Sequence, residues 1–187
     1  NRECAVKRIH KDSGKKLAED ELRIFEEIKI NPPANIVQYY FHYEDKDYIY
    51  IALELCETDL ENYLKNKNKF LSFNLNDIDI LRQITLGLDF LHNNSQKAII
   101  HRDLKPHNVL ISKANKNHKV HVKLADFGLS KLVNNHALSI TKTSTKGTYG
   151  WMAPEIFQDD YKNINSRADI FSLGCLFYYI LTDCTHP

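Results

Sequence analysis

Two rhythms of apolar residues run along this chain, and the change from one to the other divides it. In CAVKRI apolar residues surround Lys7 in the manner of a strand, and DSGKK then supplies turn residues. Ala18, Leu22, Phe25 and Ile28 follow at helical spacing, which predicts a helix over Leu17 to Ile30 with Glu21 bordering its buried face. Pro32-Pro33 stops that helix, and IVQYYFHYE and DYIYIALEL read as two β-branched and aromatic strands around the turn at 44–47, an antiparallel pair. From about residue 58 the rhythm becomes helical. A short helix is expected over 59–66 and a longer one from Asp77 to His92, with Ile78, Leu81, Ile84, Thr85, Leu88 and Leu91 facing inward. Ile99-Ile100, Val109 to Ile111 and Val120 to Leu124 are strand-sized runs between polar loops, and Arg167 to Leu181 reads as a mostly apolar, buried helix. The pattern is that of an α+β chain, β-rich first and mainly helical afterwards.

Composition narrows the classes without choosing among them. The 187 residues, 43% hydrophobic, are enough for a sizeable core. A net charge of +1, with acids and bases interspersed, gives no sign of a nucleic-acid arm or a polybasic membrane patch. The four cysteines, Cys4, Cys56, Cys175 and Cys184, lack metal-like spacing and read as reduced thiols in a cytosolic compartment. No apolar run approaches the roughly 18–20 residues of a membrane span. The sequon at Asn93 reads as chance.

The chemistry concentrates in loops. In HRDLKPHN, at 101–108, Asp103 follows a short strand and Asn108 opens another, while Asp126 heads DFG at the end of the next. Hard oxygen donors without histidine or cysteine suit Mg²⁺ shared with phosphates: two of the three groups serve as oxygen ligands and one carboxylate is left as a candidate base. That set points to phosphoryl transfer, in which a protein mainly positions a nucleophile and neutralises charge.

AVKRI at 5–9, HRDLKPHN at 101–108, DFG at 126–128 and APE at 153–155 stand in an order in which the chain resembles the eukaryotic protein kinases. The resemblance implies a bilobal kinase fold: residues 1–56 as part of the small lobe with its hinge, and 57–187 as part of the large lobe. It implies ATP and Mg²⁺, with Lys7 on the α/β-phosphates and Glu21 as its helix partner. Asp103 takes or orients the substrate hydroxyl's proton. Asn108 and Asp126 match the metal ligands, and Lys105 matches the lysine that serine/threonine kinases set beside the transferred phosphate. Glu54 and Cys56 match the hinge, Leu53 the gatekeeper, and Ala5 and Leu110 the residues closing over adenine. Thr148 in GTYGWMAPE matches a threonine that contacts the catalytic loop.

A narrower resemblance lies in IALELCETDLENYL, PHN, GW-x-APE and FYY near THP, which are similar to the unfolded-protein-response sensors, the transmembrane kinase/endoribonucleases. This implies a cytosolic domain of an endoplasmic-reticulum membrane protein that phosphorylates itself in trans within dimers or oligomers and controls a nuclease outside this stretch. No nucleic acid is expected on the stretch itself. Between DFG and APE, Ser139, Thr141, Thr143, Ser144 and Thr145 are candidate phosphosites, with Arg102 and Lys131 as cations nearby.

The family's glycine-rich loop before the lysine strand and its later large-lobe helices are absent from these residues, so the stretch alone is expected to hold ATP poorly. His101 reads as a packed histidine supporting Phe127, and Asp169, amid apolar residues, as a scaffold carboxylate bound to the backbone of the Arg102 loop. The aromatic clusters at 39–41 and 177–179 read as packing. A nucleotide-sensing scaffold and an unrelated soluble kinase are the competing functions, and a scaffold has no use for a base such as Asp103.

Overall fold

The computed structural model describes residues 3–29, 32–93, 97–114, 119–134, 147–157 and 165–187. Strand β1 (Cys4–His10) runs straight into helix α1 (Lys11–Ile28). Strands β2 (Tyr39–Glu44) and β3 (Tyr48–Glu54) form the expected antiparallel pair, and the sheet order is β1-β3-β2. Asp45 closes their turn, its Oδ1 accepting the backbone N–H groups of Asp47 at 2.9 Å and Tyr48 at 2.7 Å.

Helix α1 begins at Lys11, where turn residues alone predicted a loop up to Leu17. His10 caps it, its Nδ1 accepting the N–H of Asp12, and an acid in the first turn suits the helix dipole. Gly14 belongs inside the helix because a Cβ there would lie 2.5 Å from Ile9 Cγ2; glycine lets α1 lie against β1. The buried face is Gly14, Ala18, Glu21, Ile24, Phe25 and Ile28, so Glu21 sits within the face it was expected to border.

The mainly helical part follows through β4 (Cys56–Asp59), α2 (Leu60–Lys65) and a 3-10 stretch over Lys67–Phe73 that the pattern did not signal. Asp59 caps α2 by accepting the N–H of Asn62 at 2.8 Å. Helix α3 (Asp77–Asn93) turns Ile80, Leu81, Ile84, Gly87, Leu88 and Leu91 inward. Ile78 is 68% exposed, because the inward stripe starts at Ile80. Thr85 also faces outward, its hydroxyl donating to the Leu81 carbonyl one turn back.

Strand β5 (Lys97–Ile100) pairs with β8 (Lys131–Asn134), a strand the sequence did not announce. Strands β6 (Val109–Ser112) and β7 (Val122–Leu124) complete a sheet ordered β4-β6-β7, all antiparallel. Val120 is buried but lies ahead of β7. After the short helix α4 (Pro154–Phe157) comes α5 (Arg167–Leu181), with its predicted bounds. It is not buried all round: Ala168, Asp169, Ser172, Cys175, Leu176, Tyr179 and Ile180 face the core, whereas Ile170, Phe171, Tyr178 and Leu181 are exposed. One hydrophobic cluster joins Phe25, Ile49 and Ile51 to Leu88, Leu124, Phe127 and Leu176, so the β-rich and helical parts share a core. Each large side chain so buried contributes about 1.5–3 kcal/mol.

Candidate active site

Lys7 alternates to the α1 side of β1, and the stripe on α1 brings Glu21 to meet it. The Lys7 Nζ donates to Glu21 Oε1 at 2.9 Å and Oε2 at 2.8 Å, and to Asp126 Oδ1 at 2.7 Å. Glu21 is 1% exposed, while Lys7 and Asp126 are partly open to solvent. Burial raises the Glu21 carboxyl above its ordinary value even though Lys7 opposes the shift. Burial works against the charges of Lys7 and Asp126 too. In both it is outweighed: Glu21 and Asp126 leave Lys7 raised, and Lys7, the Gly128 N–H and His101 leave Asp126 lowered. The arrangement is a cation held between a desolvated carboxylate and a more accessible one.

A second cluster forms on the loop before β6. Asn108 Nδ2 donates to the Asp103 carbonyl at 2.8 Å and to Asp103 Oδ2 at 2.9 Å. Lys105 Nζ lies 2.9 Å from the same Oδ2 and donates to Thr148 Oγ1 at 2.6 Å, while the Thr148 hydroxyl donates to Asp103 Oδ1 at 2.6 Å. Every contact of the Asp103 carboxylate is thus a hydrogen bond to a charged acceptor, which fixes the side chain. Thr148 reaches it because Gly147, at φ +147°, turns the chain where a Cβ would collide with Met152 Sδ.

Two strained residues flank the clusters, Arg102 at φ 65° and Asp126 at φ 61°. Such conformations cost about 1–3 kcal/mol each and need surroundings that enforce them. For Arg102 the enforcing group is Asp169, fully buried on α5, whose Oδ2 accepts the His101 N–H and whose Oδ1 accepts the Arg102 N–H, both at 2.8 Å. His92 Nε2 adds a third contact at 2.8 Å, a partner the sequence reading missed. For Asp126, the neighbouring Ala125 donates its N–H to the Asn108 carbonyl at 2.9 Å, tying the end of β7 to the loop. His101 is buried: its Nδ1 accepts the Asp103 N–H and its Nε2 donates to the Ala125 carbonyl, an arrangement that fixes its tautomer. Its ring lies 5.4 Å from Phe127, which meets Phe25 at 5.5 Å, which stacks on Tyr39 at 5.1 Å. This aromatic column connects α1 to the loop of Asp103.

The remaining expected residues lie at the ends of strands. Ala5 faces Leu53 across β1 and β3, Glu54 ends β3, Cys56 begins β4, and Leu110 faces Asp59 across β4 and β6. Leu53 and Leu110 are half-buried against the main core. Burial, followed by Glu54, pushes the Cys56 thiol up to about 11, which leaves it protonated and unreactive at neutral pH. Arg102 is buried, its Nε donating to the Leu129 carbonyl at 2.6 Å, and Lys131 lies 3.8 Å from Asp20. Ser139, Thr141, Thr143, Ser144 and Thr145 lie outside the described residues.

Among the described residues no cluster of three His, Cys, Asp or Glu side chains could hold a metal ion. A carboxylate and an amide oxygen are the kind of donors that suit a hard cation sharing its shell with a phosphate. Asp126 supplies a carboxylate, and Asn108 commits its amide N–H groups to Asp103, leaving its amide oxygen to ligate. No described helix is long and apolar enough to cross a membrane.

The sequence profile of the family described as protein kinase domain matches residues 1–186. The serine/threonine-protein kinase/endoribonuclease ire-1 of Caenorhabditis elegans is 38% identical over 189 residues, covering 100% of this chain and 19% of that protein. The corresponding IRE2 of Homo sapiens is 37% identical, covering 100% of this chain and 20% of that protein. The sensor for unfolded proteins in the ER, ire1 of Schizosaccharomyces pombe, is 32% identical, with 100% and 19% covered. The chain therefore spans about a fifth of the length of these curated relatives. Among solved structures, the yeast RNA polymerase II CTD kinase CTDK-1 complex contains a chain that superposes with a TM-score of 0.75 at 22% identity, covering 98% of this chain and 55% of that one, a likeness of fold. The chain belongs to the protein kinase family.

Proposed function

We propose that this domain transfers the γ-phosphoryl group of ATP to serine or threonine hydroxyls, including those of a second copy of the same protein. The carrying observation is the fixed carboxylate of Asp103, bound by Thr148, Lys105 and Asn108. The substrate hydroxyl oxygen bonds to the γ-phosphorus as the bond to the β,γ-bridging oxygen breaks and ADP leaves. The hydroxyl proton passes to Asp103, or is oriented by it. Lys105, beside Asp103, stabilises negative charge on the transferring oxygens. Lys7, held by Glu21, takes the α/β-phosphates, which compete with Asp126 for its ammonium. Asn108 and Asp126 would hold Mg²⁺, which when bound neutralises phosphate charge. Glu54 and Cys56 meet adenine through their backbone, with Leu53, Ala5 and Leu110 around the ring.

The similarity to kinase/endoribonuclease sensors supports the larger reading: a cytosolic domain of an endoplasmic-reticulum membrane protein, assembling as dimers or oligomers and governing a nuclease outside this stretch. Phosphate groups added within 139–145 would take Arg102 and Lys131 as cationic partners. The test is Asp103→Asn in the full-length protein. Phosphate incorporation should fall by about 10²–10⁴-fold with ATP-analogue affinity nearly kept. Near-normal incorporation would sink the assignment, and incorporation absent from the unsubstituted protein despite nucleotide binding would favour the scaffold.

A further inference from the structure

Strand β7 carries a lysine in an apolar setting. Lys123 is 7% exposed, and its ammonium donates to the Ala34 carbonyl at 2.7 Å and the Ile36 carbonyl at 3.4 Å, and pairs with Glu54 Oε2 at 3.0 Å. That Oε2 also accepts the Gln38 N–H at 3.2 Å, and the Glu54 N–H donates to the Gln38 carbonyl at 2.8 Å. On the other side, Leu124 donates to the Asn35 carbonyl and Val37 to the Leu124 carbonyl, both at 2.9 Å. The Asn35 side chain donates to the Val122 carbonyl at 3.0 Å and to Gln83 Oε1 at 3.1 Å, and Gln83 Oε1 accepts the Val122 N–H at 3.0 Å. Residues 34–38 are thus laced to β7 on one side and to the end of β3 on the other, and Lys123 spans both.

Burying an ammonium is costly unless carbonyls and a carboxylate meet it at hydrogen-bond distance, so this cation enforces the spacing of the groups around it. Its field reaches the hinge residue Cys56, where it opposes the upward push of burial and Glu54 on the thiol. Cys56 follows Glu54 by two positions, and Asp126 follows Lys123 by three. If adenine rests at Glu54 and Cys56 and the phosphates reach Asp126, both ends of the nucleotide sit on segments that Lys123 ties together.

We propose that Lys123 is a positioning residue for ATP, setting the distance between the adenine-binding backbone at Glu54 to Cys56 and the phosphate end at Asp126 through its bonds to Glu54, Ala34 and Ile36. This rests on the kinase reading above. It acts on how well the nucleotide fits, and leaves the chemistry at Asp103 alone.

The test uses the full-length protein carrying Lys123→Met, which keeps the aliphatic stem, Lys123→Arg, which keeps the charge, Glu54→Gln, and the double variant Lys123→Met/Glu54→Gln. Phosphotransfer is followed against ATP concentration, a fluorescent ATP analogue gives Kd, and hydrogen exchange is read in segments 36–39 and 53–56. Lys123→Met is expected to raise both KM for ATP and analogue Kd about tenfold, the loss of a hydrogen-bonded charge, with kcat within about twofold. Lys123→Arg should recover most of the affinity. The double variant should bind no worse than Lys123→Met, because the pair acts as a unit, and exchange should quicken in both segments. An unchanged Kd, a change in kcat at constant KM in either direction, or additive losses would overturn the proposal. If the unsubstituted protein binds the analogue without turnover, the kinase reading fails while Kd still decides the role of Lys123; if it binds no nucleotide, both fall.

Discussion

Replacing Asp169 with asparagine should unfasten the loop that carries Asp103, although the two side chains have almost the same shape. The carboxylate accepts three hydrogen bonds, from the His101 N–H, the Arg102 N–H and His92 Nε2, all at 2.8 Å, and is fully buried. Bonds to a charged acceptor contribute about 1.5–3 kcal/mol each. An asparagine keeps one acceptor oxygen and turns an NH₂ group toward at least one N–H donor, so a charged bond is lost and a buried donor is left facing another. The sum is at least about 3 kcal/mol, a sizeable part of the 5–15 kcal/mol that holds a domain folded. Arg102 at φ 65° would also be free to relax. Three kcal/mol corresponds to roughly a hundredfold rise in local opening. Hydrogen exchange in the peptide covering 99–104 should therefore accelerate about a hundredfold, with phosphotransfer falling in step as the proposed base loses its position. Unchanged protection at His101 and Arg102 in a folded Asp169→Asn protein would refute the reasoning.

Removing the Thr148 hydroxyl with Thr148→Val should lower turnover about 10–100-fold, the worth of one hydrogen bond to a carboxylate, with Thr148→Ser keeping most of it; initial rates at saturating ATP check this. Glu21→Gln should leave the melting temperature level or higher, since burial already disfavours the Glu21 charge, while nucleotide affinity drops as Lys7 loses its partner; differential scanning and analogue titration separate the two. The two carboxyls also predict opposite pH limbs. Asp126, held below its ordinary 3.8, adds stability above that value and loses it as pH falls through its folded value, so the stability gap between the unsubstituted protein and Asp126→Asn should close in acid, as urea melts across pH 2–6 would record. Glu21, raised above 4.5, favours folding most below that pH and loses the contribution as pH rises through its folded value. Gly147→Ala should cost about 1–3 kcal/mol, because φ +147° strains any Cβ and Met152 occupies the space; an unaltered melt would contradict it.

Much of the site could be read from the chain because its parts are local. A strand lysine, a helix glutamate one stripe away, and an Asp, Lys and Asn within one loop have spacings that short-range geometry nearly dictates, and the structure brings Lys7 to Glu21 and Asp103 to Asn108 and Lys105. The apolar run around Asp169 likewise demanded a partner for its carboxylate, and the backbone of the Arg102 loop provides it. Lys123 also gave a signal, a cation amid VHVKLAD, although its partners lie 69 or more positions away in the chain.

What the amino-acid order determined by itself was the succession of elements and the polar groups each must present, since period, breakers and side-chain type act over a few residues. Tertiary structure decided the rest. Turn residues at 12–14 became the first turn of α1 because β1 lay close enough to require a glycine. Lys131 to Asn134 became a strand because β5 offered it an edge. His92 met Asp169, and Lys123 met Glu54, through packing of segments remote in sequence. Burial sets the value of such contacts: the groups that matter most are those that folding removes from water, and no local pattern states which surfaces will close over them.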